Sequence, residues 1–303
     1  MNKLNGVFAV VIALMLGTLA LHGQLFVYEG FEYDPGHLLL KDGGFGFGTN
    51  VWIKPPFGGV DPDVTCDVQD YGLAFTNGSG GMYLQVNGRC AAFSGVPSTP
   101  TQTRYQRATE VAFSNAVTFW TSYLIRLLTS DTDGESCFAW GCDVNQNVGQ
   151  FGRTIASGKR YDGHYLMNKP YAFTSATQTN GPLVPGPTYF VVGKTTLWDT
   201  DESIPGLNAY DITWWRYENG VDTVPTNEPA IGDGVRLVGT SSNHRTVMRV
   251  GFYMAPINGV FVPFAIDEIR GGYTYESVTP FVPEGGVVGI GVVLSMLGLR
   301  KRV

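Results

Sequence analysis

Val117-Thr118-Phe119-Trp120-Thr121-Ser122-Tyr123-Leu124-Ile125-Arg126-Leu127 alternates with a period of two. Its odd positions (Val117, Phe119, Tyr123, Ile125, Leu127) are apolar apart from Thr121, and its even set includes Thr118, Ser122 and Arg126. Successive side chains of a strand point to opposite faces, so this pattern predicts a strand with one face in a core.

The same period recurs on both sides of this stretch. Met82, Leu84 and Val86 share one face while Tyr83, Gln85 and Asn87 share the other. Thr246, Met248, Val250, Phe252 and Met254 alternate with Val247, Arg249, Gly251 and Tyr253. Tyr189 to Val192 is apolar on both faces, as a central strand requires. No stretch of about a dozen residues carries a helical period. Turn chemistry separates the runs at Gly43-Gly44, Gly58-Gly59, Asn77-Gly78, Asn87-Gly88, Asn219-Gly220, Gly232-Asp233-Gly234 and Asn258-Gly259. These features predict an all-β body of two antiparallel sheets, a sandwich or jelly roll. Composition agrees: 40 glycines, 13% aromatic residues, and 15% charged residues against roughly 25% in ordinary soluble domains.

The ends differ from the body. Lys3 precedes an apolar run from Val7 to Leu21, with small residues at Ala20 and Gly23. The run is shorter than the roughly 20 residues of a stable membrane span, so residues 1–23 read as a signal peptide. At the other end Val282-Pro283-Glu284-Gly285 precedes an uncharged apolar stretch, Gly286 to Leu299, and then Arg300-Lys301-Arg302-Val303. Basic residues stay on the cytoplasmic side, so this order predicts a carboxyl-terminal hydrophobic helix with its tip inside and the body outside. The division is therefore 1–23 signal, 24–280 sandwich and 281–303 sorting or anchor segment. The body, about 255 residues, matches the upper range of single β-sandwich domains.

Formal net charge is −6, and Arg300, Lys301 and Arg302 lie in the tail, so the body is more acidic than the total. Such a body does not attract phosphate backbones, which argues against nucleic-acid binding. Four cysteines, Cys66, Cys90, Cys137 and Cys142, allow three pairings in an oxidising compartment. Proximity in sequence favours Cys66 with Cys90 and Cys137 with Cys142; unpaired buried thiols are the alternative.

The tail resembles the PEP-CTERM sorting signal of Gram-negative bacteria: Pro283 and Glu284 fit the tripeptide, and Gly285 stands where its second proline belongs. The resemblance implies an exosortase as processing partner, an exported protein, and Val282, Pro283, Glu284, Arg300, Lys301 and Arg302 as sorting residues. The body resembles concanavalin A-like (LamG-type) sandwich domains of exported bacterial proteins. That resemblance is carried by Tyr28-Glu29-Gly30-Phe31-Glu32-Tyr33 at its opening and by Phe264-Ala265-Ile266-Asp267-Glu268-Ile269-Arg270-Gly271-Gly272 at its close. Between them, Tyr189 to Lys194 and Ile212 to Arg216 are similar to two middle strands of that group.

Glycosidases of this fold place alternating carboxylates along one strand, because retaining hydrolysis needs two carboxyls about 5–5.5 Å apart. Glu32-Tyr33-Asp34 is followed by Pro35-Gly36-His37 rather than by a further carboxylate, and reads as a turn. Asp131, Asp133 and Glu135 offer closely spaced oxygen ligands of the kind Ca²⁺ takes, against the alternative of a solvated turn. Asp199-Thr200-Asp201-Glu202 is a second, less patterned acidic run. Trp52, Trp120, Trp140, Trp198, Trp214 and Trp215 offer flat faces to sugar rings or fill a β core. Adjacent Trp214 and Trp215 must point to opposite sides of a strand, one of them towards solvent or a second sheet. His37, His164 and His244 have no metal-ligand spacing, and nucleophile-elbow, P-loop and dinucleotide patterns are missing.

Two function classes follow. The first is a non-enzymatic, membrane-anchored or exosortase-sorted protein of the cell envelope or extracellular matrix that either binds glycan or simply forms part of the envelope or its extracellular polymer. The second is a secreted carbohydrate-active enzyme drawing carboxylates from Asp131, Asp133, Glu135, Asp267 or Glu268.

Overall fold

A computed structural model of the chain describes residues 25–54, 64–78, 81–84, 86, 88–94, 103–113, 117–129, 135–142, 154–159, 164–168, 178–182, 184–199, 208–241, 247–255 and 263–283. In chain order the strands are β1 (Leu25–Glu29), β2 (Gly36–His37), β3 (Thr65–Val68), β4 (Met82–Leu84), β5 (Ala91–Ser94), β6 (Thr103–Phe113) and β7 (Val117–Leu127). They continue with β8 (Glu135–Cys142), β9 (Thr154–Lys159), β10 (His164–Asn168), β11 (Gln178–Pro182), β12 (Thr188–Asp199) and β13 (Asn208–Glu218). The last are β14 (Val235–Ser241), β15 (Val247–Ala255), β16 (Phe264–Gly272) and β17 (Phe281–Pro283). The single α-helix among the described residues, α1 (Tyr275–Val278), is one turn capped by the Thr274 hydroxyl, which accepts from the Ser277 amide.

Every ladder among these strands is antiparallel. A nine-stranded sheet runs β14-β13-β12-β7-β16-β5-β3-β2 with β1 added on β16, and a six-stranded sheet runs β11-β10-β9-β8-β15-β6. The all-β expectation of two main antiparallel sheets holds, and β4 with β17 forms a further two-stranded sheet. The Val117–Leu127 stretch is β7, between β12 and β16, and Tyr189 to Val192 lies in central β12 as its two apolar faces require.

The period of two decides which core each residue enters. From β7, Phe119, Tyr123, Ile125 and Leu127 join the first buried cluster with Tyr189, Val191, Trp214 and Phe264 and with Tyr105 and Val250 of the six-stranded sheet. That cluster fills the space between the sheets. Trp120 and Leu124 join a second cluster with Phe190, Val192, Trp215 and Ala265 on the opposite face. The second face is covered by Leu73, Phe75, Leu84, Tyr275 and Val278, with Phe281 packed against them. The sequence pattern left this face half polar. Its Ser122 is fully buried, and its hydroxyl donates to the Val278 carbonyl at 2.6 Å. Three layers therefore replace the expected two.

Trp214 and Trp215 do point to opposite sides, and both are buried. Trp214 lies over Gly193, where a Cβ would approach its ring at 2.4 Å, so glycine is required there.

Among the described residues no helix is long and apolar enough to cross a membrane. The expected signal peptide, and the tail from Glu284 onward, lie outside the described residues. Phe281 packs on the second cluster and β17 pairs with β4, so the folded body runs through Pro283 rather than ending at residue 280.

Both favoured cysteine pairings are corrected by the fold. Cys66 and Cys90 are free, buried thiols in clusters on opposite faces of the sheet. Burial pushes both thiols up, Cys66 well above its ordinary value. Cys137 and Cys142 lie on one strand, β8. Five strand steps separate their Cα atoms by roughly 16 Å, against about 5.5–6 Å across a disulfide.

Candidate functional site

The opening and closing motifs meet. Strand β1 pairs with β16 in the register Tyr28↔Arg270 and Glu29↔Ile269, so the first and last strands of the large sheet are neighbours. The first half of β16 has β5 as its partner at Ala265 and Ile266, and the second half has β1 from Ile269 onward. At the handover the strand bulges between Asp267 and Arg270 against β7, and Glu268 takes a φ of 54°. A non-glycine residue pays strain of about 1–3 kcal/mol there, so the surroundings must hold it.

What holds it is a buried polar cluster on the Tyr28 side of β1. Asp267 accepts from the Leu73 amide at 2.9 Å and from the Glu268 amide at 2.8 Å, supplying acceptors where the ladder changes partner. Glu268 accepts from the Tyr28 hydroxyl at 3.1 Å and from the Arg270 guanidinium, which also lies 5.2 Å from the Tyr28 ring centre. Both carboxylates are completely buried. Desolvation, with the neighbouring Glu268 charge second, pushes the Asp267 carboxyl well above the usual range.

Glu29, next to Tyr28, carries a second network on the other face of β1. One oxygen accepts from the Phe31 amide at 2.9 Å. The other accepts from the Tyr33 hydroxyl at 2.6 Å, Trp52 Nε1 at 3.0 Å and the Arg107 guanidinium at 2.9 Å. Arg107, on β6 of the opposing sheet, also donates to the carbonyls of Asp42, Gly43 and Asn50. Its guanidinium carbon sits 4.1 Å from the Phe47 ring centre. Burial raises the Glu29 carboxyl, and the Tyr33, Trp52, Phe31 and Arg107 groups pull it back. The network ties the 42–52 loop to both sheets.

This loop brings an exposed aromatic beside the seam. Phe45 exchanges backbone hydrogen bonds with Tyr28, at 2.8 and 3.0 Å, on the edge of β1 away from β16. Bridge partners project to the same side, so Phe45, 55% exposed, flanks half-buried Tyr28. The approach is close enough to exclude any side chain at Gly46, where a Cβ would fall 1.8 Å from the Phe26 carbonyl oxygen. Just past β16, Tyr273 is 48% exposed and its ring lies 5.3 Å from that of Phe26. Two exposed aromatics thus flank β1: Phe45 beside Tyr28, and Tyr273 against Phe26.

The remaining sequence candidates do not converge on a reaction centre among the described residues. Asp267 and Glu268 are adjacent, but neither faces solvent and all four of their oxygens accept protein hydrogen bonds. Glu32 and Asp34 are exposed, with Asp34 3.8 Å from Arg89. Asp131 and Asp133 lie outside the described residues, and Glu135 opens β8. No group of three metal-ligating side chains occurs among the described residues. Trp52 and Trp120 are buried; Trp140 and Trp198 lie in β8 and β12. His37 is exposed 3.9 Å from Asp67, His164 opens β10, and His244 is outside the described residues. Val282 and Pro283 lie in β17, whereas Glu284, Arg300, Lys301 and Arg302 lie beyond the described residues. Phe45 and Arg107 were missed by sequence reasoning: a lone aromatic between glycines and one arginine in an alternating run carry no spacing signal.

No family model matches the chain. No curated protein matches it at a significant level. Among solved structures it is similar to the globular domain of T. cruzi calreticulin, with 9% identity, TM-score 0.42, and coverage of 84% of this chain and 90% of that one. It is also similar to the cellulose induced protein Cip1, with 13% identity, TM-score 0.43, and coverage of 74% and 91%. A third is the carbohydrate binding module CBM66 from Bacillus subtilis, with 9% identity, TM-score 0.33, and coverage of 65% and 94%. At such identities and scores the likeness carries neither a residue nor a ligand over to this chain.

Proposed function

We propose that this chain is a non-catalytic, exported domain of the cell envelope or extracellular matrix that holds polysaccharide on the aromatic seam of β1. The observation that carries the reading is the division of roles at that seam. The carboxylates of Glu29, Asp267 and Glu268 are fully buried and bonded within the protein, while Phe45 and Tyr273 present their rings to solvent. Flat apolar faces suit the C–H faces of pyranose rings, and carboxylates buried and bonded within the protein offer a bound sugar neither an acid nor a nucleophile. The 15% charge content and acidic body fit a neutral polymer better than a polyanionic one.

Export and sorting complete the proposal. Residues 1–23 act as the signal peptide, and the apolar stretch before Arg300-Lys301-Arg302 places the tail in the membrane with the body outside. A membrane peptidase of the exosortase type processes the tail at Val282-Pro283-Glu284. Polysaccharide pull-down with the full chain in mild detergent tests the binding reading. Retention on at least one neutral glucan, mannan or galactan is expected; no retention on any polymer would leave only an envelope-building role.

A carbohydrate-active enzyme would need paired, accessible carboxylates. Asp267 and Glu268 do not supply them, and the remaining candidates are Asp131, Asp133 and Glu135.

A further inference from the structure

We propose that β17 shields the processing point of this chain: while it is paired to β4, the Val282-Pro283 peptide is unavailable, and the tail is cut only from chains in which β17 has come away. The inference rests on the sorting reading above and adds its regulation.

Strand β17 pairs in the register Phe281↔Leu84, Val282↔Tyr83 and Pro283↔Met82. The other edge of β4 is held as well. Thr76 bridges to Tyr83, the Leu84 amide donates to the Phe75 carbonyl at 3.0 Å, and the Asn77 amide donates to the Met82 carbonyl at 2.8 Å. Asn77 is locked in turn to Val224 by two hydrogen bonds, of 2.8 and 3.2 Å. β17 is thus docked on a fixed strand. Its anchor is Phe281, half-buried, with ring centres 6.0 Å from Phe75 and 5.5 Å from Phe190.

Enzymes that read a peptide in extended form add it as a strand to their own edge, and so need its backbone free. Here one backbone edge of Val282 and Pro283 is already used by β4. Pro283 has no N–H to extend the ladder, so the protected stretch ends there. In the proposed step, once β17 has come away, water hydrolyses the Val282-Pro283 peptide bond: its hydroxyl joins the new Val282 carboxyl and its remaining hydrogen joins the Pro283 nitrogen of the departing tail.

The test compares the full chain with Phe281→Ala and with a Tyr83→Cys/Val282→Cys variant, whose directly opposed positions lie within disulfide range. Brief digestion with a broad-specificity protease, read by intact mass, is expected to cut the wild type only beyond Pro283. Phe281→Ala should be cut within 279–283 about tenfold faster, and the oxidised double-cysteine variant not at all until reduced. Cutting of all three within 279–283 at equal rates overturns the shield. The same three chains expressed in a sorting-competent host separate this from the reading beneath it. Faster tail loss in Phe281→Ala, and retention in the disulfide variant, are expected. A tail kept by all three, with the protease pattern intact, overturns the sorting reading and the coupling to it.

Discussion

Glu29 and Arg107 face each other 2.9 Å apart across the two sheets, and neither side chain is more than 1% exposed. One end lies on the first strand of the large sheet and the other on β6 of the small one, so this pair fixes the sheets to each other at the seam. A buried ion pair whose partner is removed leaves an uncompensated charge. Arg107→Ala should cost about 3–5 kcal/mol in equilibrium urea denaturation, and Glu29→Gln combined with Arg107→Met should recover a large part of it. A loss within the range of a surface substitution would show that the pair holds nothing.

Burial, followed by the Glu268 charge, disfavours the ionised form of Asp267 and holds its carboxyl well above the usual range. A carboxyl raised in the folded state favours folding below its unfolded pKa of about 3.9, and that contribution is lost as pH rises through the folded value. Wild type should therefore lose stability relative to Asp267→Asn as pH is raised from about 4 towards neutrality. Denaturation midpoints of the two chains across that range check the sign.

Much of the fold was legible in the sequence and less of the site. The period of two in β7 and the apolar run in β12 named two central strands, because their faces are set by alternation alone. The third layer was not legible: Ser122 looks solvent-facing until the Val278 carbonyl, more than a hundred residues later, comes to meet it. Spacing likewise misjudged the cysteines, since neighbours in sequence can be fixed on opposite faces of one sheet. The opening and closing motifs of the body are joined as β1 and β16, and the Glu268 carboxylate bonds to Tyr28 across that seam.

Gly193 allows Trp214 to lie flat on β12. Gly193→Ala would drive a methyl into the indole at 2.4 Å and should cost about 1–3 kcal/mol, visible as a lower thermal midpoint.

Leu40 is 67% exposed and has a φ of 67°. Relief of about 1–2 kcal/mol of steric cost, less about 0.5–1 for glycine's freedom in the unfolded chain, predicts that Leu40→Gly stabilises slightly. A lower midpoint for this variant would show that the Leu40 side chain makes contacts that outweigh the strain.

Cys66 and Cys90 should both react with a thiol reagent only after denaturation, because each is buried and held protonated. A peptide map without reductant should contain no Cys66–Cys90 or Cys137–Cys142 bridge.

The central claim is that exposed rings at the β1 seam, not carboxylates, meet the ligand. Affinity electrophoresis through gels containing the retained polysaccharide, run for wild type, Phe45→Ala, Tyr273→Ala and the double variant, tests it most directly. Each single change should weaken retention several-fold and the double change should abolish it, with denaturation midpoints showing every variant still folded under the assay conditions. Full retention by the double variant would place the ligand elsewhere and contradict the account.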